Sequence, residues 1–232
     1  MGLAEFFLRH RIEILQATGE HIWLTGVSMA FAIAIGVPLG VLVTRKPWLS
    51  KPVIGGANVA ETIPSLALFG FLLPIPWLGD RAGRLAIVAL TLYALLPIIR
   101  NTAAGIANVD PAVLEAARGM GMTGRQILWR VELPLSISTI IAGIRIATVL
   151  TIGIATIAAA VGAGGLGEFI FRGLAMVDNR LILAGAIPAA VLAILADVLL
   201  GLLERALLPG GSHARSRRAS TAEPRTAGAT ES

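Results

Sequence analysis

Charged side chains stand inside long apolar runs of the sequence: Arg100, and the three candidates Glu61, Arg145 and Asp197. Isolated charge in hydrocarbon is costly, so such groups pair with one another, line a wet path or handle a proton or substrate. With the runs read as helices rising ~1.5 Å per residue, Glu61 lies roughly 12 Å, Arg145 roughly 15 Å and Asp197 roughly 9 Å from the same end. Similar depth points to an Arg145–Asp197 ion pair, with Glu61 as a second candidate; separate snorkelling or exposure to a water-filled path is the other reading. Little else could do chemistry. The absence of cysteine excludes disulfides, thiolate metal sites and a cysteine nucleophile. His10, His21 and His213 are scattered too widely to mark a metal cluster. Residues 162–167 satisfy G-x-G-x-x-G, but they follow an apolar run and no acidic residue stands ~20 positions on, so they read as a flexible elbow. No nucleophile or pair of catalytic acids is assembled, and the chain is expected to be neither an enzyme nor a cofactor binder.

Composition names the elements that must position these groups. The 232 residues are 56% hydrophobic and 14% charged, against roughly 45–50% and 25% for soluble domains. With a mean hydropathy of +0.81, a soluble globular enzyme is excluded. Apolar runs at 22–43, 53–76, 85–106, 135–161 and 181–203 are each long enough to cross ~30 Å of hydrocarbon. The expected fold is all-α and integral to the membrane, a bundle of five transmembrane helices. The first run is longer than a signal peptide's apolar core and is followed by Arg45 and Lys46, so it reads as a retained span. Pro64, Pro74 and Pro76 interrupt the second run, which predicts a bent helix inside the bundle, where neighbours satisfy the freed carbonyls. Trp23, Trp48 and Trp77 fall at run edges, the place of an aromatic belt.

Charge chooses the orientation. One side collects eleven basic residues: Arg45, Lys46, Lys51, Arg118, Arg125, Arg130, Arg205, Arg215, Arg217, Arg218 and Arg225. The other collects six: Arg9, Arg11, Arg81, Arg84, Arg172 and Arg180. The positive-inside bias makes the first side cytoplasmic, with the N-terminus outside and the C-terminus inside. The net charge of +5 is thus an orienting charge at a lipid bilayer, and no nucleic acid partner is expected. The organisation follows: residues 1–21 form an extracytoplasmic segment, 22–207 the transmembrane domain, and 208–232 a disordered basic tail.

Between the third and fourth runs, residues 107–134 are too polar for lipid and too patterned for a slack linker. Asp110–Pro111 suits the N-cap and first position of a helix carrying Glu115, Ala116 and Ala117. Gly119 and Gly121 end it. Thr123 and Gln126 have capping-box spacing for a second short helix that runs until Pro134 stops its pattern. Two capped helices on a glycine elbow make a bracket, readable either as a surface loop or as a docking element. Met120 and Met122 flank the elbow and read as packing residues, while Trp129 could meet lipid or a partner.

The order Glu115–Ala116–Ala117, three residues, Gly121, nine residues, Val131–Glu132–Leu133–Pro134 resembles the EAA loop of binding-protein-dependent ABC importer permeases, with Val131 for the usual isoleucine. The resemblance spans about residues 18–207. Glu61–Thr62–Ile63–Pro64–Ser65–Leu66–Ala67–Leu68 and Leu92–Tyr93–Ala94–Leu95–Leu96–Pro97 resemble the osmoprotectant branch, which takes glycine betaine, carnitine or choline. The chain departs from that branch at Glu61, where glutamine is common. The resemblance implies a bacterial inner-membrane permease subunit, working as a homo- or heterodimer with a second permease. A cytoplasmic ABC ATPase would be seated on the EAA loop, and an extracytoplasmic binding protein would deliver the solute. Glu115, Ala116, Ala117, Gly119, Gly121, Val131, Leu133 and Pro134 are then the coupling-loop residues. Methionine-type and other small-solute permeases, and less closely a secondary transporter, are the alternatives.

Overall fold

A computed structural model describes residues 2–207, so the tail expected at 208–232 lies outside the described residues. Helices joined by short turns make up the described chain, with no strand among the described residues. Four helices are long and apolar enough to cross a membrane, and a bent pair makes a fifth if the pair is one span.

A short α1 (Leu3–Arg9) leads into α2 (Arg11–Arg45), which is longer than the run at 22–43 and passes unbroken through residue 21. Its buried residues Ile14, Ala17, His21, Leu24, Ser28, Ala32, Gly36 and Gly40 recur every three or four positions. That spacing lays one face of the helix against the bundle. Lys46, before Pro47, leaves helical dihedrals and ends α2, because the proline ring crowds the preceding residue.

The second run is bent, as its prolines predict. α3 (Pro47–Thr62) and α4 (Ser65–Leu72) meet at 103°. Ile63, before Pro64, is extended, and its freed carbonyl accepts a hydrogen bond from the Tyr93 hydroxyl. Within the single chain the pair is not interior, however. Only Ala57, Leu68 and Phe69 are buried, while Val59, Leu66 and Phe71 are exposed. Tyr93 satisfies the broken backbone from one side, so the bend needs no full enclosure.

One turn, α5 (Pro76–Gly79), precedes α6 (Ala82–Ala107), the central helix. Leu85, Ala86, Ala89, Leu90 and Ile98 of α6 are fully buried. The bracket follows as α7 (Pro111–Gly119) and α8 (Gly124–Ile127). After it come α9 (Leu133–Ala158), a 3₁₀ turn, a short α10 (Gly167–Met176) that no apolar run announced, and α11 (Asn179–Leu207). Small residues let α2, α6 and α9 approach closely, the usual device where lipid removes the hydrophobic drive between helices. A Cβ at Gly36 would lie 2.8 Å from Ile98 Cγ2, and one at Gly143 would lie 2.5 Å from Asn101 Cβ. α11 buries only Leu181, Ala184, Gly185 and Ala189, leaving most of its apolar surface uncovered in the single chain.

Candidate functional site

The bracket is assembled by local chemistry at each joint. Asp110 Oδ1 accepts from the Ala112 N–H at 2.8 Å, and Pro111 fills the first position of α7. One orphan donor is thereby satisfied, and no donor is lost at the proline. At the other end Gly121 adopts φ +79°. Its N–H bonds the Arg118 carbonyl at 2.9 Å, and the Met122 N–H bonds the Ala117 carbonyl at 3.2 Å. Those two bonds form a Schellman cap, which needs the left-handed residue that glycine supplies without strain.

The next joint is a complete capping box. The Gln126 N–H donates to Thr123 Oγ1 at 3.3 Å, and the Thr123 N–H donates to Gln126 Oε1 at 2.8 Å, opening α8. Pro134 does not stop the pattern that follows. The chain stays helical from Gly124 to Val161, 38 residues, through a π turn at Leu128–Glu132. A proline ring crowds the carbonyl four residues back, here Arg130. Widening the helix to five-residue bonding over that stretch accommodates it.

Ala117 and Ile127 are buried, while Glu115, Ala116, Gly119 and Gly121 are exposed with Met120. Met122 is half-buried and Trp129 is exposed. Val131 and Leu133 are half-buried, and Pro134 is exposed in the first turn of α9. Glu132, in sequence no more than a spacer between Val131 and Leu133, is 5% exposed and accepts a hydrogen bond from Arg45 at the end of α2. No local signal marks that contact, because its partners are 87 residues apart.

The three candidate charges separate into a pair and a remainder. Arg145 on α9 meets Asp197 on α11 through two hydrogen bonds, with Glu204 Oε2 3.8 Å from the guanidinium. Glu61 is exposed on α3 and joins no ion pair among the described residues. The Arg145–Asp197 pair is not enclosed either: the side chains are 38% and 40% exposed on the face of α9 and α11.

At the opposite end of the bundle, Gly162, Gly164 and Gly165 all take left-handed dihedrals. The glycine elbow is tied rather than loose. The Gly165 N–H donates to Glu20 Oε2 at 2.9 Å, and the neighbouring His21 ring bonds the Ile152 carbonyl at 3.0 Å. The elbow follows a 3₁₀ turn and opens α10, so it is not the strand-to-helix turn of a nucleotide cradle. A further legible signal is Gly36-x-x-x-Gly40 on the buried face of α2, a small-residue spacing that marks close helix packing.

The sequence and fold are similar to known proteins along most of the chain. The family model described as "Binding-protein-dependent transport system inner membrane component" matches residues 32–209. The carnitine transport permease protein OpuCB of Listeria monocytogenes is 44% identical over 208 residues, 90% of this chain and 94% of its own. The osmoprotectant import permease protein OsmW of Salmonella typhimurium is 43% identical over 213 residues, 91% of this chain and 99% of its own. Among solved structures, the inward-facing MetNI methionine ABC transporter has a chain of TM-score 0.76 at 27% identity, covering 84% of this chain and 96% of that one.

Proposed function

The chain belongs to the family of binding-protein-dependent transport system inner membrane components, and from that premise we propose that it is the membrane-spanning permease of an ATP-driven osmoprotectant importer. The solute is a small quaternary ammonium compound such as glycine betaine, choline or carnitine. The observation that carries this reading is 41–46% identity, over about nine tenths of the chain, to permeases whose names specify carnitine, choline or osmoprotectants. Hydrolysis belongs to a separate ATPase, and the permease does no covalent chemistry.

In this reading the bracket lies in the cytoplasm, as the excess of basic residues at that end favours. Its outward face of Glu115, Ala116, Gly119 and Gly121 docks on the ATPase, and the small residues let another backbone come close. A short helix transmits displacement only when it is stiff, and the Asp110 cap, the Schellman cap and the capping box supply the stiffness. Closure of the ATPase then moves α6 and α9, the two long helices that the bracket joins. A binding protein delivers solute at the opposite end, beside the glycine elbow. The uncovered apolar faces of α3, α4 and α11 meet lipid and a second permease subunit.

The test is reconstitution of the permease in proteoliposomes with an ABC ATPase and a binding protein from the same genome. ATP-dependent uptake of labelled glycine betaine, choline or carnitine is the expected result. Uptake of methionine alone would move the chain to the amino-acid branch, and uptake without ATP would overturn the importer reading.

A further inference from the structure

Three helices converge at the base of the bracket, and each pair is joined in its own way. α2 meets α6 at Gly40, where a Cβ would lie 2.5 Å from Thr102 Cβ and 3.0 Å from the Ile99 carbonyl oxygen. α6 meets α9 at Gly105, where a Cβ would lie 3.1 Å from the Cβ atoms of Ser136 and Thr139. The third side of this triangle joins α2 to the π turn, where Arg45 donates from Nη2 to Glu132 Oε2. Arg45 lies about one and a half turns beyond Gly40, and Glu132 about one turn before Ser136, so the three contacts stack toward the bracket end.

The third side differs from the other two. Glycine packing is non-directional and tolerates small sliding, whereas a guanidinium–carboxylate bond fixes both position and angle. Glu132 is 5% exposed, so its carboxylate cannot turn to water if Arg45 withdraws. It also closes the π turn, the one widened stretch in an otherwise regular helix. Displacement of the bracket passes directly along the chain to α6 and α9. It reaches α2 only through packing on those helices and through Arg45–Glu132, and among the described residues no other ion pair links α2 to the bracket.

Resting on the importer reading above, we infer that Arg45 and Glu132 are positioning residues that make the first long helix move with the bracket. Without the pair, α6 and α9 answer the ATPase while α2 lags, and hydrolysis is no longer matched by import.

The readout is the number of solute molecules imported per ATP hydrolysed, measured in proteoliposomes after co-purification has established assembly. Arg45→Ala and Glu132→Ala assemble with the ATPase and hydrolyse ATP, but import per ATP falls by about fivefold or more, the lower end of ordinary coupling between sites. Arg45→Lys, which keeps the charge, retains most of the ratio. The exchanged pair Arg45→Glu with Glu132→Arg recovers part of it. Because the chain has no cysteine, Arg45→Cys with Glu132→Cys supplies a second measure that is read within one folded sample. A short bis-thiol bridge raises its import per ATP, and an equivalent mono-thiol reagent does not. An unchanged ratio in both alanine variants, or a bridge without effect, overturns the inference. Failure of the unaltered complex to import with ATP indicts the importer reading instead, so the two failures are distinguishable.

Discussion

Arg145 Nε lies 2.5 Å from Asp197 Oδ1, and Arg145 Nη2 lies 2.8 Å from Asp197 Oδ2, a two-bond clamp between α9 and α11. A planar guanidinium fits a carboxylate in this parallel manner, which sets orientation as well as attraction. The clamp lies on a face that the single chain leaves partly open.

Arg145→Ala leaves Asp197 without its partner, and Asp197→Ala leaves Arg145 with Glu204 alone, 3.8 Å away. Arg145→Ala and Asp197→Ala are each expected to lower the amount of folded permease in the membrane several-fold. The exchanged double variant Arg145→Asp with Asp197→Arg should regain part of the loss. Strictly additive defects, read as membrane-inserted protein and transport, would show that the pair carries no joint energy. Glu61→Gln should leave that level unchanged, since Glu61 joins no ion pair among the described residues.

Gly121 is open to space, with no atom within 4 Å of where a Cβ would stand, so its requirement is conformational. Gly121→Val forces a β-branched residue to φ +79° at a cost of about 1–2 kcal/mol. The variant should insert normally yet lose solute-stimulated ATP hydrolysis. Gly121→Asn, which tolerates the left-handed region, should keep more of it. Equal stimulation in all three proteins would remove the Schellman cap from the coupling pathway.

Topology can be read with thiols in this cysteine-free chain. Gly79 is a poor labelling position because a Cβ there strikes the Leu73 carbonyl, whereas Asp80 is exposed. Asp80→Cys should react with an impermeant reagent in intact cells, and Lys51→Cys only after permeabilisation. The reverse pattern would put the bracket outside the cell, beyond reach of an ATPase.

Two glycines of α2 should respond in opposite ways. Gly40→Val drives a branched side chain into Thr102 and should cost about 1–3 kcal/mol by overpacking. Gly26 has open space around it, so Gly26→Ala should be neutral or gain up to about 1 kcal/mol of helix propensity. Thermal unfolding in detergent separates them. Equal midpoints would refute the close α2–α6 approach.

Much of this molecule is legible in its sequence because the forces involved are local. Hydropathy marks the long helices, since a run of apolar side chains needs no knowledge of its neighbours to partition into lipid. Asp110–Pro111, Gly121 and the Thr123–Gln126 box mark the bracket, since each acts within four residues. The break before α4 follows from Ile63–Pro64 by the same rule. What a proline does once a helix is already formed is less local. Pro134 looks like a stop, yet packing of α9 against α6 stabilises the helix enough for a π turn to absorb the ring.

Partner choice belongs to the tertiary structure alone. Depth along the membrane is the same arithmetic for Glu61 and Asp197, but a pair also requires that two helices turn the right faces together. Each residue rotates the face by about 100°, so one residue of register decides which carboxylate Arg145 finds, and Glu61 sits on α3, which packs on α2 and α6. Arg45 and Glu132 show the same limit. One looks like an orienting charge and the other like a spacer within a motif, and only the convergence of α2 with the π turn makes them a contact.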